Sequence, residues 1–383
     1  MEGIKRQKGE NGYMKKGKKS AKEILLIAAH MLIGGVVGAA VMLLYVRIRP
    51  AGGTLPELLL VLGMLLLVYI LQVPIHEAGH LVFGLLTGYR FVSYRVFNLM
   101  WIRQEGKVRF RRMSLAGTAG QCLLGPPEWR EDLPYVLYNL GGVLFNLLFA
   151  ALCWALSGLC PPFAAWVLRM SALCGLFVAL ANGIPMRMGG LDNDGKNIYS
   201  IRRDASAKRA FWLQMTINEH TAAGVRLQDM PEEWFSLPGD EYADNPLVAF
   251  VAVERAARLV EQRRFGEAAV LQDRLRANPR LPDLFHALLG NDRIFCELMS
   301  GQRRDILDGL QDKKQTAFWK AMKQNPAVLR TRYALALLDH RDKAEADGYR
   351  AAFDKAARSY PYPAEIETER DLMALAQEKA HTL

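Results

Sequence analysis

The chain has 383 residues, room for two domains, and its mean hydropathy of +0.02 averages an apolar half from Ile24 to Ile184 with a charged half after about Lys196. Its net charge of +10 is spread over the ends of apolar segments rather than gathered on one motif, which argues against a nucleic-acid partner and for membrane topology. The five cysteines are scattered and contain no C-x-x-C pair, so neither a disulfide framework nor a cysteine-zinc site is expected, and they read as reduced core residues.

Residues 1–22 hold eight Lys/Arg against Glu2 and Glu10 and read as a basic cytoplasmic tail. The apolar run that follows is long enough to span and lacks a clear small-residue cleavage site, so it reads as a retained anchor rather than a secretory leader. A first span is expected over Ile24 to Val46. A second runs from after Pro56 to about Leu86, with Pro74 inside it. Eight basic residues between Arg90 and Arg130 hold the next loop in the cytoplasm. Within that loop Val92, Tyr94 and Val96 alternate with polar residues, as do Val108 and Phe110 around the Gln104-Glu-Gly-Lys107 turn, which predicts a β-hairpin. Directly after a membrane helix, such a hairpin would bring a sheet edge able to accept an extended peptide.

Spans three and four are expected over Tyr135 to Leu156 and Phe163 to Ile184, joined by the short Gly158-Leu-Cys-Pro-Pro turn. The expected architecture is mostly α. A polytopic four-helix membrane domain (23–200) carries an inserted β-hairpin, and a cytoplasmic all-α domain (201–383) follows, with both termini inside. Asn245-Pro246 to Asn278-Pro279 and Asn325-Pro326 to Pro361 have comparable lengths; a tetratricopeptide-like pair of helical hairpins and an ordinary helical domain both fit.

His76-Glu77-Ala78-Gly79-His80 carries the chemistry. Residues four apart share one helix face, so His76 and His80 can reach one metal ion. Glu77 then sits beside it as a general base for an attacking water. For a lone histidine such as His30, hydrogen-bonded packing is the better reading. Two histidines and a glutamate within five residues of a membrane helix are costly to bury and mark function. A catalytic zinc takes three protein ligands. A downstream glutamate would have to be Glu105 or Glu128, both in the basic loop, whereas the end of span four carries Asn182-Gly-Ile-Pro185 and, further on, Asp192-Asn-Asp194-Gly195.

Together with the HEAGH segment, these residues resemble the site-2 protease family of intramembrane zinc metalloproteases, whose second motif is N-x-x-P followed by a D-G pair. Gly142-Val-Leu-Phe-Asn146 matches that family's G-x-x-x-N signature, and the likeness covers about residues 58 to 200. The resemblance implies one Zn2+ per chain bound by His76, His80 and an aspartate, with Glu77 as base and membrane proteins cut near the cytoplasmic face. It also implies a multi-pass protein of a bacterial cell membrane. The chain departs from the family in its spacer, with six residues between Pro185 and Asp192 and eight before Asp194. Asp194 keeps the D-G pair and is taken as third ligand, with Asp192 as the alternative.

Asn182 is placed to hydrogen-bond substrate backbone or a developing oxyanion. Asn146, with Gly141 and Gly142, reads as support through close helix contact. Counting from His76 to the end of span two sets the metal roughly 15 Å inside the membrane surface at about 1.5 Å per residue. A catalytically inactive membrane scaffold or receptor, with the helical C-terminal domain binding a protein partner, is the competing reading. A proton-relay transporter is a third, but four spans without an inverted repeat fit it poorly. The intact Glu77 favours the enzyme.

Overall fold

The computed structural model describes residues 21–48, 54–113, 118–188, 191–236, 245–301 and 303–382. Most of the expected basic tail therefore lies outside the described residues. Four helices make the first half: α1 (Ala21–Ile48), α2 (Leu55–Leu86), α3 (Tyr135–Ser157) and α4 (Pro162–Gly183). By length and composition α2, α3 and α4 can each cross a membrane, while the described apolar stretch of α1 is the shorter Met31–Arg47. α1 packs on the others through Val41 and Tyr45, which meet Val61 and Val68 of α2 and Trp166 and Met170 of α4. Leu59, Leu62, Leu66 and Leu67 of α2 face outward, the surface a lipid-facing helix presents.

Small residues decide how α2 meets α3. A Cβ on Gly79 would fall 2.1 Å from the Gly141 carbonyl oxygen, and one on Gly141 would fall 2.4 Å from that of Gly79, so the two backbones touch at this crossing.

The expected hairpin is a four-stranded antiparallel sheet of order β3-β2-β1-β4, built from β1 (Arg90–Val96), β2 (Leu99–Gln104), β3 (Lys107–Arg112) and β4 (Gly120–Gly125). The tight turn does fall at Glu105 and Gly106, both with positive φ, but it joins β3 to β2 rather than to the strand over 92–96. β2 escaped the alternation pattern because Leu99-Met-Trp-Ile102 is apolar throughout; in the fold Met100 and Ile102 are buried whereas Leu99 and Trp101 are exposed. β1 is fixed against α2 by the Tyr94 hydroxyl, which donates to the Pro74 carbonyl at 2.7 Å.

A small hairpin, β5 (Arg187–Met188) with β6 (Leu191–Asp192), leads from α4 into α5 (Asp194–Arg203), which runs across the expected domain boundary at residue 200. Then come α6 (Ala205–Ala222), α7 (Pro246–Glu261), α8 (Phe265–Arg276), α9 (Asp283–Ser300), α10 (Arg304–Leu310), α11 (Lys313–Ala321), α12 (Pro326–Ala334), α13 (Lys343–Ala357) and α14 (Pro363–His381). Asn245 and Asn325 cap α7 and α12 as Asn-Pro signals do. The helical pairs α7–α8 and α12–α13 stand where the two hairpins were expected, with α9 packed between α8 and α12. This half packs on the sheet through α6 and is held there by hydrogen bonds as well. Arg90 of β1 holds Glu219 of α6 with two hydrogen bonds of 2.9 and 2.7 Å, and Gln104 Nε2 donates to the Pro361 carbonyl at 2.6 Å.

Candidate metal centre

The crossing of α2 over α3 sets the first two ligands. His76 lies over Gly142, where a Cβ would sit 2.4 Å from the imidazole Cε1. His80 follows one turn later, and the two Nε2 atoms are 3.1 Å apart. Asp194, the first residue of α5, brings Oδ2 to 3.0 Å from His76 Nε2 and 3.5 Å from His80 Nε2. It can come this near because Gly195 rides on the end of α4: a Cβ there would fall 2.1 Å from the Gly183 carbonyl oxygen. Asn193 locks the approach, donating through Nδ2 to the Ala181 and Ile184 carbonyls while its Oδ1 accepts from Lys196 N.

Hydrogen bonding fixes the tautomers. His80 Nδ1 is 2.8 Å from the Tyr138 carbonyl oxygen, which can only accept, so Nδ1 carries the proton. Asn146 spends Nδ2 on Gln72 Oε1 at 3.0 Å, which leaves its Oδ1 to accept from His76 Nδ1 at 2.8 Å. As neutral imidazoles, both rings therefore turn a bare Nε2 lone pair toward the other and toward a carboxylate oxygen. In that form no hydrogen stands between them, and the buried Asp194 Oδ2 accepts no hydrogen bond from either ring. Three converging electron pairs repel one another unless a cation lies among them. In a tetrahedral site with bonds of about 2.0–2.1 Å, ligand atoms stand about 3.4 Å apart, close to the separations observed here. His76, His80 and Asp194 thus fit a metal ion.

Asp192, the alternative ligand, is not in this group. Its Oδ1 accepts from Arg187 Nε at 2.6 Å, and this ion pair closes the β5–β6 hairpin. Glu105 is spent on Arg109 at the β2–β3 turn, far along the sheet from the imidazoles.

Glu77 lines the same cavity, of about 570 Å³, and makes no hydrogen bond or ion pair to the described residues. It lies against β4: a Cβ on Gly120 would fall 2.4 Å from Glu77 Oε1. β4 has β1 on one side only, so its other edge borders the cavity along Thr118 to Leu123. Burial pushes the Cys122 thiol up, which keeps it a neutral thiol rather than a competing thiolate ligand. Asn182 also lines the cavity, with one amide hydrogen spent on Val178 O at 3.0 Å in its own helix. Asn146 is fully buried and acts on His76.

Several residues of the site carried no signal in the sequence. Tyr138 acts through its main-chain carbonyl, which any residue would supply, and its hydroxyl donates to Cys122 O at 2.9 Å. Gln72 reads as one polar residue in an apolar span. One stripe of α6, Phe211, Gln214, Met215 and Asn218, also faces the cavity, although α6 follows the membrane half in sequence. No family model, no curated protein and no solved structure matches this chain.

Proposed function

We propose that the chain is a zinc metalloendopeptidase of the membrane, hydrolysing peptide bonds of membrane-protein substrates near the cytoplasmic face. The observation that carries this reading is the Glu77 carboxylate, without a hydrogen-bond or ion-pair partner among the described residues, beside three converging ligand atoms, on the wall of a cavity that also holds the edge of β4 that no described strand covers. Two imidazole nitrogens and one carboxylate oxygen at tetrahedral separations suit zinc and leave a fourth position for chemistry. Bound there, zinc would polarise the scissile carbonyl and make a water acidic enough to attack it.

The chain's own residues divide the remaining work. Glu77 takes the proton of the attacking water and returns it to the leaving amine. Asn146 and the Tyr138 carbonyl hold the imidazoles in the tautomer that leaves Nε2 free. Asn182 has a second amide hydrogen to offer the developing oxyanion. The edge of β4 that no described strand covers takes the substrate as an added strand, which presents its peptide bonds in order past Glu77. The intact Glu77, without a hydrogen-bond or ion-pair partner among the described residues, weighs against an inactive scaffold. The helices long enough to span fit a membrane protein, and the basic loop favours both termini in the cytoplasm; a multi-pass protein of a bacterial cell membrane is what the family resemblance implies.

The test is Glu77→Gln. The variant should bind one zinc per chain as the parent does and lose at least about a hundredfold in cleavage of a co-expressed membrane substrate. Undiminished cleavage would exclude Glu77 as the base and the hydrolytic mechanism with it.

A further inference from the structure

The cavity has a second polar wall that the hydrolytic roles leave unused. Gln214 and Asn218 lie four residues apart on α6, and Asn197 lies on α5; all three side chains line the cavity and are partly open to it. None makes a hydrogen bond to the described residues. Between the two α6 amides Met215 is buried, so an apolar floor separates two groups that each offer a donor and an acceptor.

The spacing matters. Four residues of helix rise about 6.0 Å, while peptide groups on one edge of an extended strand recur every two residues, about 6.7 Å. An amide pair at this repeat matches successive main-chain groups of a strand, and an amide that both donates and accepts complements a peptide group whatever its side chain. The same cavity is bordered by the edge of β4 that no described strand covers, and there the other edge of such a strand would pair, beside a Cys122 carbonyl that already accepts from the Tyr138 hydroxyl.

Resting on the hydrolase reading above, we infer that Gln214 and Asn218, with Asn197, form a main-chain clamp: they bind the outer edge of an extended polypeptide whose inner edge pairs with β4. The ligand is an extended segment recognised through its backbone, with tolerance of sequence where the amides hold it. The helical second half thereby supplies part of the substrate site itself.

The test uses the full-length Glu77→Gln protein and a fluorescent nine-residue peptide of alternating valine and threonine. Two further versions have either the odd or the even peptide nitrogens methylated. Methylation of one parity removes donors from one edge only, because successive peptide groups of a strand point to opposite edges. Binding is read by fluorescence anisotropy. The unmodified peptide should bind, and each methylated version should bind at least about fivefold more weakly, the loss of about one hydrogen bond. In a Gln214→Met/Asn218→Leu variant, which keeps side-chain size, sensitivity to one parity should vanish while sensitivity to the other persists. Metal content and melting temperature of that variant confirm its fold. Equal sensitivity to both parities in the variant overturns the clamp, as does failure of the unmodified peptide to bind. Cleavage by the parent with Glu77 intact reports separately on the hydrolase reading, so either idea can fail alone.

Discussion

Asp192 and Asp194 are two residues apart and both acidic, yet the fold gives them opposite work. Asp192 neutralises Arg187 across a two-residue hairpin, whereas Asp194 aims an unpartnered oxygen at two imidazoles. Asp194→Asn should therefore weaken zinc binding by more than about a hundredfold, beyond the cost of losing a supporting hydrogen bond. Asp192→Asn should leave one metal per chain. Equilibrium dialysis against a zinc buffer distinguishes them, and retention of full affinity by Asp194→Asn would remove it from the ligand set. Asn146→Leu probes the layer behind: His76 loses the acceptor that fixes its tautomer, and affinity should fall by about 10–100-fold. The two histidines and Glu77 could be read from sequence because their spacing alone puts them on one helical face. The choice of Asp194 over Asp192 rests in sequence on the D-G pair alone; its physical reason, Gly195 meeting the Gly183 carbonyl across a turn of chain, is visible only in the fold.

At the level of elements, the centre depends on how closely α2 and α3 cross. Gly79 and Gly141 meet backbone to backbone, whereas nothing lies within 4 Å of where a Cβ on Gly63 would be. Gly141→Ala should cost about 1–3 kcal/mol through overpacking, while Gly63→Ala should be near neutral or slightly stabilising, as alanine favours helix. Unfolding in mixed micelles compares the two, and an equal response would mean that the crossing is looser than described. Gly142→Ala should chiefly weaken zinc binding, because its methyl group would displace the His76 ring. These glycines could be picked out in sequence as small residues in a span, but their partner could not. The sheet was legible only where its strands alternate. β1 and β3 do, whereas β2 is apolar from Leu99 to Ile102 and Gly120-Gln-Cys-Leu-Leu-Gly125 reads as a loop between glycines, so the strand that borders Glu77 is hidden.

Across the whole molecule, the helical half is tied to the sheet through α6 and also through the residues that lead into α14. Gln104 of β2 donates to Pro361, and Tyr362 packs with Val92, Met100 and Ile102 of the sheet. Just beyond, Glu365 accepts from the Tyr360 hydroxyl at 2.7 Å, in a region shared with Glu369 of α14, Glu254 and Glu261 of α7 and Asp292 of α9. Arg330 of α12 pairs with Asp292 and Glu369, and Arg226 with Glu261 and Asp371, which leaves Glu254 and Glu365 without an arginine partner among the described residues. Burial, with Glu365, Asp292 and Glu261 nearby, pushes Glu254 up to about 8. Burial and Glu369 push Glu365 up to about 7 against the pull of the Tyr360 hydrogen bond. Both carboxyls hold their protons more tightly folded than unfolded, where 4.5 is the ordinary value. The stability they confer is complete below that value and is lost as pH rises through about 7 and then about 8. Amide exchange in α14 and β2, corrected for the intrinsic rate, should therefore be faster at pH 8.5 than at pH 6.5, and Glu254→Gln should flatten the difference. Because β2 and β1 are neighbours in the sheet whose far edge is β4, loosening α14 should also raise the KM for a membrane substrate over the same interval. Unchanged exchange between the two pH values would show that the protonated carboxyls contribute nothing to holding α14 against the sheet.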